Sequence, residues 1–220
     1  MKSRMVDRVL VATDDRRIYD TVIGFGGECS MTATDHASGS DRIGEVARGI
    51  EADVIVNLQG DEPFSNPDVI DAVISVMASE DPPDISTAGV PLRGEEEYRS
   101  PDTVKVVVDN RGKALYFSRS PIPHGWKGPN VYSMRHLGLY AYSREALLRF
   151  ISLPPGTLEI AEGLEQLRAL ENGMRIDVAR VDGFQGVGID RPEDIHRAEE
   201  MMRKGIRKEG GKTACIGEEQ

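Results

Sequence analysis

Hydrophobic positions in the first eighty residues alternate between two patterns. Short apolar runs at residues 9–13 and 54–58 are typical of buried parallel strands. Between them, the apolar residues of 43–50 recur at i, i+3, i+4 and i+7, which predicts one face of a helix. Asn66-Pro67 then predicts a helix start, with Asn66 as N-cap and Pro67 at the first helical position. This alternation predicts an α/β domain with a doubly wound, mostly parallel, Rossmann-like sheet.

The middle of the chain follows a different pattern. Strand-like segments dominate a subregion at about residues 85–142, and Asp109-Asn110-Arg111-Gly112 predicts a hairpin turn there. Beyond it we expect helices at 144–150, 158–170 and 191–202 and a strand at 176–180. Residues 1–203 are therefore interpreted as a single domain, and the polar residues 204–220 as a frayed tail.

Composition restricts the class of protein. The 220 residues carry 27 Lys and Arg against 37 Asp and Glu, a net charge of −10, which argues against a general nucleic-acid binder. No apolar run approaches the ~20 residues of a membrane span, and the N-terminus lacks the apolar core of a signal peptide. Cys29, expected to be buried, and Cys215 are too far apart to indicate a disulfide framework or a zinc site. We expect a cytoplasmic protein.

Two aspartates are candidates for metal binding. Asp61 lies just after the predicted buried strand 54–58, where open α/β sheets bind ligands, and its carboxylate suits Mg²⁺. Asp61 could equally cap a turn before Pro63. Asp190 follows a glycine pair, but with Glu193 it also matches a capping box that opens the last helix. The pattern alone leaves both interpretations open.

Other polar residues have weaker signals. Residues 35–42 lead into a helix and could hold a base or phosphate at its N-terminus, although a plain N-cap at Ser40 is the simpler interpretation. Arg119 follows a predicted strand and suits a carboxylate partner. His136 and Tyr140, four apart in a strand, should share a face. Glu165-Gln166 should lie on a helix.

Seven short motifs stand out along the chain. They are Ala12-Thr13-Asp14-Asp15, Met31-Thr32 with Asp35-His36 and Ser38-Gly39, Gln59-Gly60-Asp61-Glu62-Pro63, Leu115-Tyr116-Phe117-Ser118-Arg119, Arg135-His136-x-Gly138-x-Tyr140, Leu164-Glu165-Gln166-Leu167-Arg168 and Gly188-Ile189-Asp190-x-Pro192-Glu193-Asp194. In sequence and in order they resemble the motifs of one family, the 3-deoxy-manno-octulosonate cytidylyltransferases (CMP-KDO synthetases). The resemblance covers residues 6–203.

The resemblance implies a Mg²⁺-dependent transfer of CMP from CTP to KDO, with release of pyrophosphate, for lipopolysaccharide biosynthesis. It implies that Asp61 and Asp190 hold the metal at the catalytic centre. The nucleotide would be bound by Gln59 and the loop residues His36, Ser38, Gly39, Ser40 and Arg42. The sugar acid would be bound by Arg119, His136, Tyr140, Glu165 and Gln166. A homodimer is typical of the family.

The chain departs from the family pattern at its start. Relatives begin with a strand and a loop, Ala-Arg-x-x-Ser-x-Arg-x-x-x-Lys, that grips the triphosphate, and no such segment precedes residue 9 here. The strand order of doubly wound sheets places that first strand between the strands at 9–13 and 54–58, so these two should lack a common neighbour. Ser40 also replaces the Thr that usually follows Ser-Gly in the family.

Two other functions remain open at this stage. The chain could be a sugar-acid-binding remnant without activity, or a cytidylyltransferase for another acidic sugar such as a sialic acid.

Overall fold

A computed structural model describes residues 3–60, 66–125, 133–182 and 199 of the chain. Its strands are β1 (Leu10–Thr13), β2 (Glu28–Met31), β3 (Val54–Asn57), β4 (Ile85–Pro91), β5 (Lys105–Val108), β6 (Ala114–Ser118), β7 (Met134–Ser143) and β8 (Ile176–Arg180). Its helices are α1 (Arg16–Gly24), α2 (Gly39–Arg48), α3 (Pro67–Met77), α4 (Glu95–Arg99), α5 (Arg144–Phe150), α6 (Thr157–Glu162) and α7 (Gln166–Glu171).

The larger sheet has six strands in the order β6-β5-β7-β4-β8, with β3 also pairing with β7. Strand β4 is parallel to β8, whereas β7 runs antiparallel to β3, β4 and β5. The α/β class with a central sheet is confirmed. The sheet itself is mixed rather than mostly parallel, because the long strand β7 enters between β3 and β4 in the opposite direction.

Strand β7 pairs with three other strands of the larger sheet. One of its edges pairs with β4 along most of its length. The other edge pairs with β5 at Met134 and Arg135 and with β3 from Tyr140 to Ser143. The carboxyl end of β3 and the start of β5 therefore meet at the same edge of β7, on either side of Gly138.

Strands β1 and β2 form a separate two-stranded parallel sheet. Among the described residues, β1 and β3 have no common neighbour, as expected from the strand order. Both strands are half-buried along most of their length instead of fully buried, and the flanking side chains Val9 and Leu58 are 57% and 46% exposed. Each strand has one edge that no described strand covers, which explains the exposure.

Local capping sets where the helices begin and end. Ser38, and not Ser40, is the N-cap of α2, because its hydroxyl accepts the backbone N–H of Asp41 at 3.1 Å. Asn66 caps α3 as predicted, with Pro67 at its start. The predicted helix 158–170 is divided into α6 and α7, because Gly163 adopts the left-handed conformation at φ 62° and ends α6.

The core packs against both faces of the six-stranded sheet. One cluster joins α5, α7 and the strands through Phe117, Leu147, Phe150 and Leu167. A second cluster packs α3 against the sheet, with Val73 at its centre. Buried apolar area of this kind is the main source of stability in a domain of this size.

Several predictions fall outside the described residues. They concern Asp61, Asp190, the helix 191–202, Cys215 and the tail 204–220. Cys29 is half-buried and not bonded to another cysteine, so the expectation of a buried thiol was too strong. None of the helices in the described part has the length and hydrophobicity that crossing a membrane requires.

Candidate functional site

Several of the predicted site residues in the described part lie where β3 ends against the middle of β7, among them His136, Tyr140 and Glu165. Asn57, the last residue of β3, pairs in register with Tyr140. Gln59 follows in an exposed loop. Arg119 comes directly after β6. Ligands of open α/β sheets bind at the carboxyl ends of strands, and the folded chain brings its polar residues to that end of β3.

The loop before α2 is fixed to the ends of β1 and β2 by Arg42. One guanidinium nitrogen of Arg42 donates to the Thr32 hydroxyl at 2.6 Å and to the Ala33 carbonyl at 3.2 Å. The other donates to the carboxylate of Asp14 at 3.0 Å. This charge-assisted network places Gly39 and the free N–H groups of α2 next to the carboxyl end of β1.

His36 closes the same loop from the other side. Its Nε2 lies 2.5 Å from Oε2 of Glu45, which also accepts the backbone N–H of Ala33 at 3.0 Å. The Ala33 N–H and then the His36 ring lower the pKa of Glu45, so this carboxylate stays charged. The ring of His36 is therefore engaged in holding the loop together.

Ser40 joins the two groups of predicted site residues. It is 2% exposed, and its hydroxyl donates to Oε2 of Glu165 at 2.7 Å. The other oxygen of Glu165 lies 3.7 Å from the Arg168 guanidinium and has no hydrogen bond. The side-chain nitrogen of Gln166 is also buried without a partner. Such atoms cost about 1–3 kcal/mol each when left unsatisfied.

Aromatic rings form a continuous row along β7. His136 lies 5.0 Å from Phe117 and 5.4 Å from Tyr140, so His136 and Tyr140 share a face as predicted. Tyr142 and Phe150 extend the row, with centroid distances of 6.1 Å. Burial raises the pKa of both tyrosines, and the nearby carboxylate of Glu165 adds to the effect. Both phenols therefore stay neutral.

The hydrogen bonds of Thr87 favour one tautomer of His136. The Thr87 hydroxyl lies 2.8 Å from the Leu139 carbonyl and 3.2 Å from the Leu137 carbonyl, so its single proton is used there. This arrangement favours the tautomer in which Nε2 of His136, 2.9 Å from the same hydroxyl, donates to it. Nδ1 is left as an acceptor. Burial lowers the pKa of His136 to about 3, which keeps the ring neutral.

Arg119 presents its guanidinium at the end of β6. Nε donates to the carbonyl oxygen of Glu162 at 3.0 Å, and Nη1 donates to the carbonyl oxygen of Pro101 at 3.1 Å. Nη2 makes no hydrogen bond to the described residues. The side chain is exposed, and its remaining donors suit an anionic ligand.

The sequence pattern missed several residues of this site. They are Asp14, which binds Arg42; Thr87, which orients His136; and Lys105 and Glu162, which surround Arg119. Asp14 had a signal, because it follows a strand as Asp61 does. The other three lie far along the chain from their partners, so no local pattern could reveal them.

The metal prediction lies outside the described residues, because both Asp61 and Asp190 do. Within the part of the chain that the structure describes, no group of three or more His, Cys, Asp or Glu residues could hold a metal ion.

A cavity of about 580 Å³ lies elsewhere, beside β1, β2 and the second half of α2. Leu10, Cys29 and Val46 contribute to its lining, and it contains none of the predicted site residues. We place the candidate site near the carboxyl end of β3, because the aromatic row of β7 and the unpaired polar atoms of Glu165 and Gln166 lie there, whereas no predicted site residue lines the cavity.

Comparison with known proteins finds similar sequences over most of the chain. The family described as cytidylyltransferase matches residues 1–176. The 3-deoxy-manno-octulosonate cytidylyltransferase of Trichlorobacter lovleyi is 43% identical, over 93% of this chain and 85% of its own length. That of Syntrophotalea carbinolica is 47% identical, over 90% of this chain and 82% of its own length.

Solved structures give the same result. CMP:2-keto-3-deoxy-manno-octonic acid synthetase complexed with CTP superposes with a TM-score of 0.88 at 38% identity, covering 93% of this chain and 84% of that one. The inositol-1-phosphate CTP transferase from T. maritima, at 16% identity and a TM-score of 0.57, shows the likeness of fold alone.

Proposed function

This chain belongs to the cytidylyltransferase family, and on that premise we propose that it transfers CMP from CTP to KDO and releases pyrophosphate. The match to relatives of that name over most of the chain carries the proposal. The convergence of Arg119, His136, Tyr140 and Glu165 around β7 supports it, because KDO is a polyhydroxylated acid that needs both a cation and hydrogen-bonding groups.

The sugar acid is assigned to the β7 side of the site. The exposed donors of Arg119 suit the KDO carboxylate, which a guanidinium can bind through two parallel hydrogen bonds. Nδ1 of His136 can accept a hydrogen bond from a sugar hydroxyl. Because the ring is neutral, it does not form an ion pair with the KDO carboxylate. Glu165 and Gln166 are assigned to further sugar hydroxyls, and each has one side-chain atom without a hydrogen-bond partner.

The nucleotide is assigned to the loop before α2. Backbone N–H groups at a helix N-terminus bind anionic or polar ligand groups, and Ser38, Gly39 and Ser40 form that end of α2. Arg42 holds the loop in place through Asp14 and Thr32. Gln59, exposed after β3, lies on the loop that we assign to the base.

A magnesium ion is the proposed cofactor, held by Asp61 and Asp190. The donor set fits, since carboxylate oxygens and substrate phosphates are the ligands that Mg²⁺ prefers. When bound, the ion offsets phosphate charge and acidifies the attacking hydroxyl. The chain's own task is to orient two anions that repel each other, so that the KDO hydroxyl lies in line with the α-phosphorus.

We also propose a cytoplasmic homodimer whose product supplies lipopolysaccharide synthesis. Light scattering coupled to gel filtration measures the oligomeric state. A mass near twice the chain's 24.2 kDa is the expected result, and a mass near 24.2 kDa would contradict it.

Pyrophosphate release from CTP tests the activity directly. The purified chain is incubated with CTP, MgCl₂ and one acidic sugar at a time, either KDO or N-acetylneuraminic acid. We expect pyrophosphate release with KDO and none with N-acetylneuraminic acid. Release only with the sialic acid would assign a different acceptor. Binding of KDO by calorimetry, without binding of CTP or turnover, would mean a sugar-acid-binding remnant.

A further inference from the structure

A buried ammonium lies beneath Arg119. The side chain of Lys105, at the start of β5, is fully buried. Its Nζ donates to the carbonyl oxygens of Ser100 at 2.7 Å and Thr103 at 2.5 Å, and also to the carbonyl oxygen of Arg119. All three of its protons are thus used on backbone acceptors, which is the usual condition for burying a charge without a paired carboxylate.

A carboxylate holds the N–H side of the same residue. Oε2 of Glu162, the last residue of α6, accepts the backbone N–H of Arg119 at 3.0 Å, and Oε1 accepts the Ser118 hydroxyl at 2.6 Å. The carbonyl oxygen of Glu162 also accepts Nε of Arg119. Lys105 and Glu162 therefore hold residue 119 at its N–H, its C=O and its Nε, and the Pro101 carbonyl adds one contact at Nη1.

We propose that Lys105 and Glu162 are positioning residues that fix the direction of the Arg119 guanidinium toward the sugar-acid carboxylate. The inference rests on the proposed function only for the identity of that carboxylate. Bidentate binding by arginine depends on angle as well as charge. If the Arg119 guanidinium were free to rotate, the enzyme would therefore bind KDO more weakly, whereas its affinity for CTP would not change.

The charges around Arg119 support a positioning role. Burial lowers the pKa of Lys105, and the nearby Arg119 lowers it further, while the Glu162 carboxylate opposes both effects. Glu162 thus favours the ammonium form that the three carbonyl oxygens require. Loss of either partner should disturb the other, and both changes reach residue 119.

Glu162→Gln is the main test, and Glu171→Gln is its matched control. Glu171 also caps a backbone N–H of α6, that of Leu158 at 3.0 Å, but it makes no contact with Arg119. We expect Glu162→Gln to raise the KM for KDO about tenfold, the effect of one charge-assisted hydrogen bond, with the KM for CTP within about twofold. Glu171→Gln should leave both constants unchanged.

A second measurement needs no substrate. Nitrogen-15 NMR should show slow solvent exchange of the Arg119 backbone N–H and Nε–H in the wild-type chain and in Glu171→Gln. In Glu162→Gln the backbone N–H loses its carboxylate acceptor and should exchange faster. The Nε–H should exchange faster in both Glu162→Gln and Lys105→Met, because residue 119 is then no longer held against the Glu162 carbonyl. An unchanged Arg119 signal in Glu162→Gln, or equal losses for KDO and CTP, would overturn the positioning role. Absence of turnover in the wild type with a normal Arg119 signal would instead count against the proposed function alone.

Discussion

Ser40 is the residue where the two halves of the candidate site meet. It was predicted to bind the nucleotide or to cap α2, yet its hydroxyl donates to Glu165, which was predicted to bind the sugar. The two residues are 125 positions apart. A sequence pattern reports spacing along one element, so it could identify both residues as polar candidates but not their contact.

Ser40→Ala should therefore weaken both stability and catalysis. It leaves Oε2 of Glu165 without its hydroxyl donor in a buried position, which costs about 1–3 kcal/mol in the free energy of unfolding. Urea denaturation measures that cost, and pyrophosphate release measures activity. The control is Ser152→Ala, whose hydroxyl only donates to the Arg149 carbonyl in an exposed turn. Equal stability for the two variants would contradict the role of Ser40.

His136 should make stability depend on pH below neutrality. Burial lowers the pKa of His136 from 6.5 to about 3, so between these values the unfolded chain binds a proton that the folded chain does not. Stability is therefore complete above pH 6.5 and falls as the pH decreases, by about 2 kcal/mol on reaching about pH 5.

Urea denaturation across that pH range measures the effect. In His136→Gln, the free energy of unfolding should depend less on pH, because the contribution of His136 is lost. In His124→Gln, a change at an exposed position, the pH dependence should be the same as in the wild type. The same slope in the wild type and in His136→Gln would show that the ring can be protonated within the fold.

At the level of elements, the sequence predicted strands and helices best where burial and local propensity agree. The bounds of α5 and β8 match the predicted ranges 144–150 and 176–180, because each combines an apolar pattern with clear turn residues at its ends. Strands β1 and β3 were expected to be fully buried but are only half-buried along most of their length. The apolar pattern within a strand does not show whether strands cover both of its edges, and burial depends on them.

Gly163 shows how one residue changes an element. The apolar pattern of residues 158–170 is that of one helix, yet Gly163 at φ 62° divides it and directs Glu165 toward Ser40. Its effect was invisible to the pattern, because a glycine inside a helical period is often tolerated.

Gly163→Ala should destabilise the fold through the backbone alone. A Cβ there meets no atom closer than 4.0 Å, but the left-handed conformation costs a non-glycine residue about 1–2 kcal/mol. Thermal unfolding should show a lower Tm, and the KM for KDO should rise. Gly49→Ala, in a right-handed helical conformation at φ −96°, is the control and should change neither. A Tm as high as that of the control would mean that the turn relaxes at no cost.

At the scale of the whole molecule, the main requirement is to offset negative charge at the candidate site. The chain has a net charge of −10 and is proposed to bring two anionic substrates together. Arg119 and Arg42 supply local positive charge, but Arg42 is already paired with Asp14. The sequence predicted the fold class and proposed polar candidates for the site, whereas the contacts among these candidates depend on β7 running antiparallel between β3 and β4.

The proposed magnesium ion would offset the remaining negative charge, so its removal should abolish transfer. We expect EDTA to stop pyrophosphate release and added MgCl₂ to restore it. Asp61→Asn and Asp190→Asn should each reduce turnover by at least about a hundredfold while circular dichroism stays unchanged, since each removes a charged ligand from a hard cation. Asp68→Asn, at an exposed carboxylate in the first turn of α3, is the control and should retain full activity. Near-normal turnover in either Asp61→Asn or Asp190→Asn would remove that aspartate from the metal site, because an amide of the same shape cannot replace the lost charge.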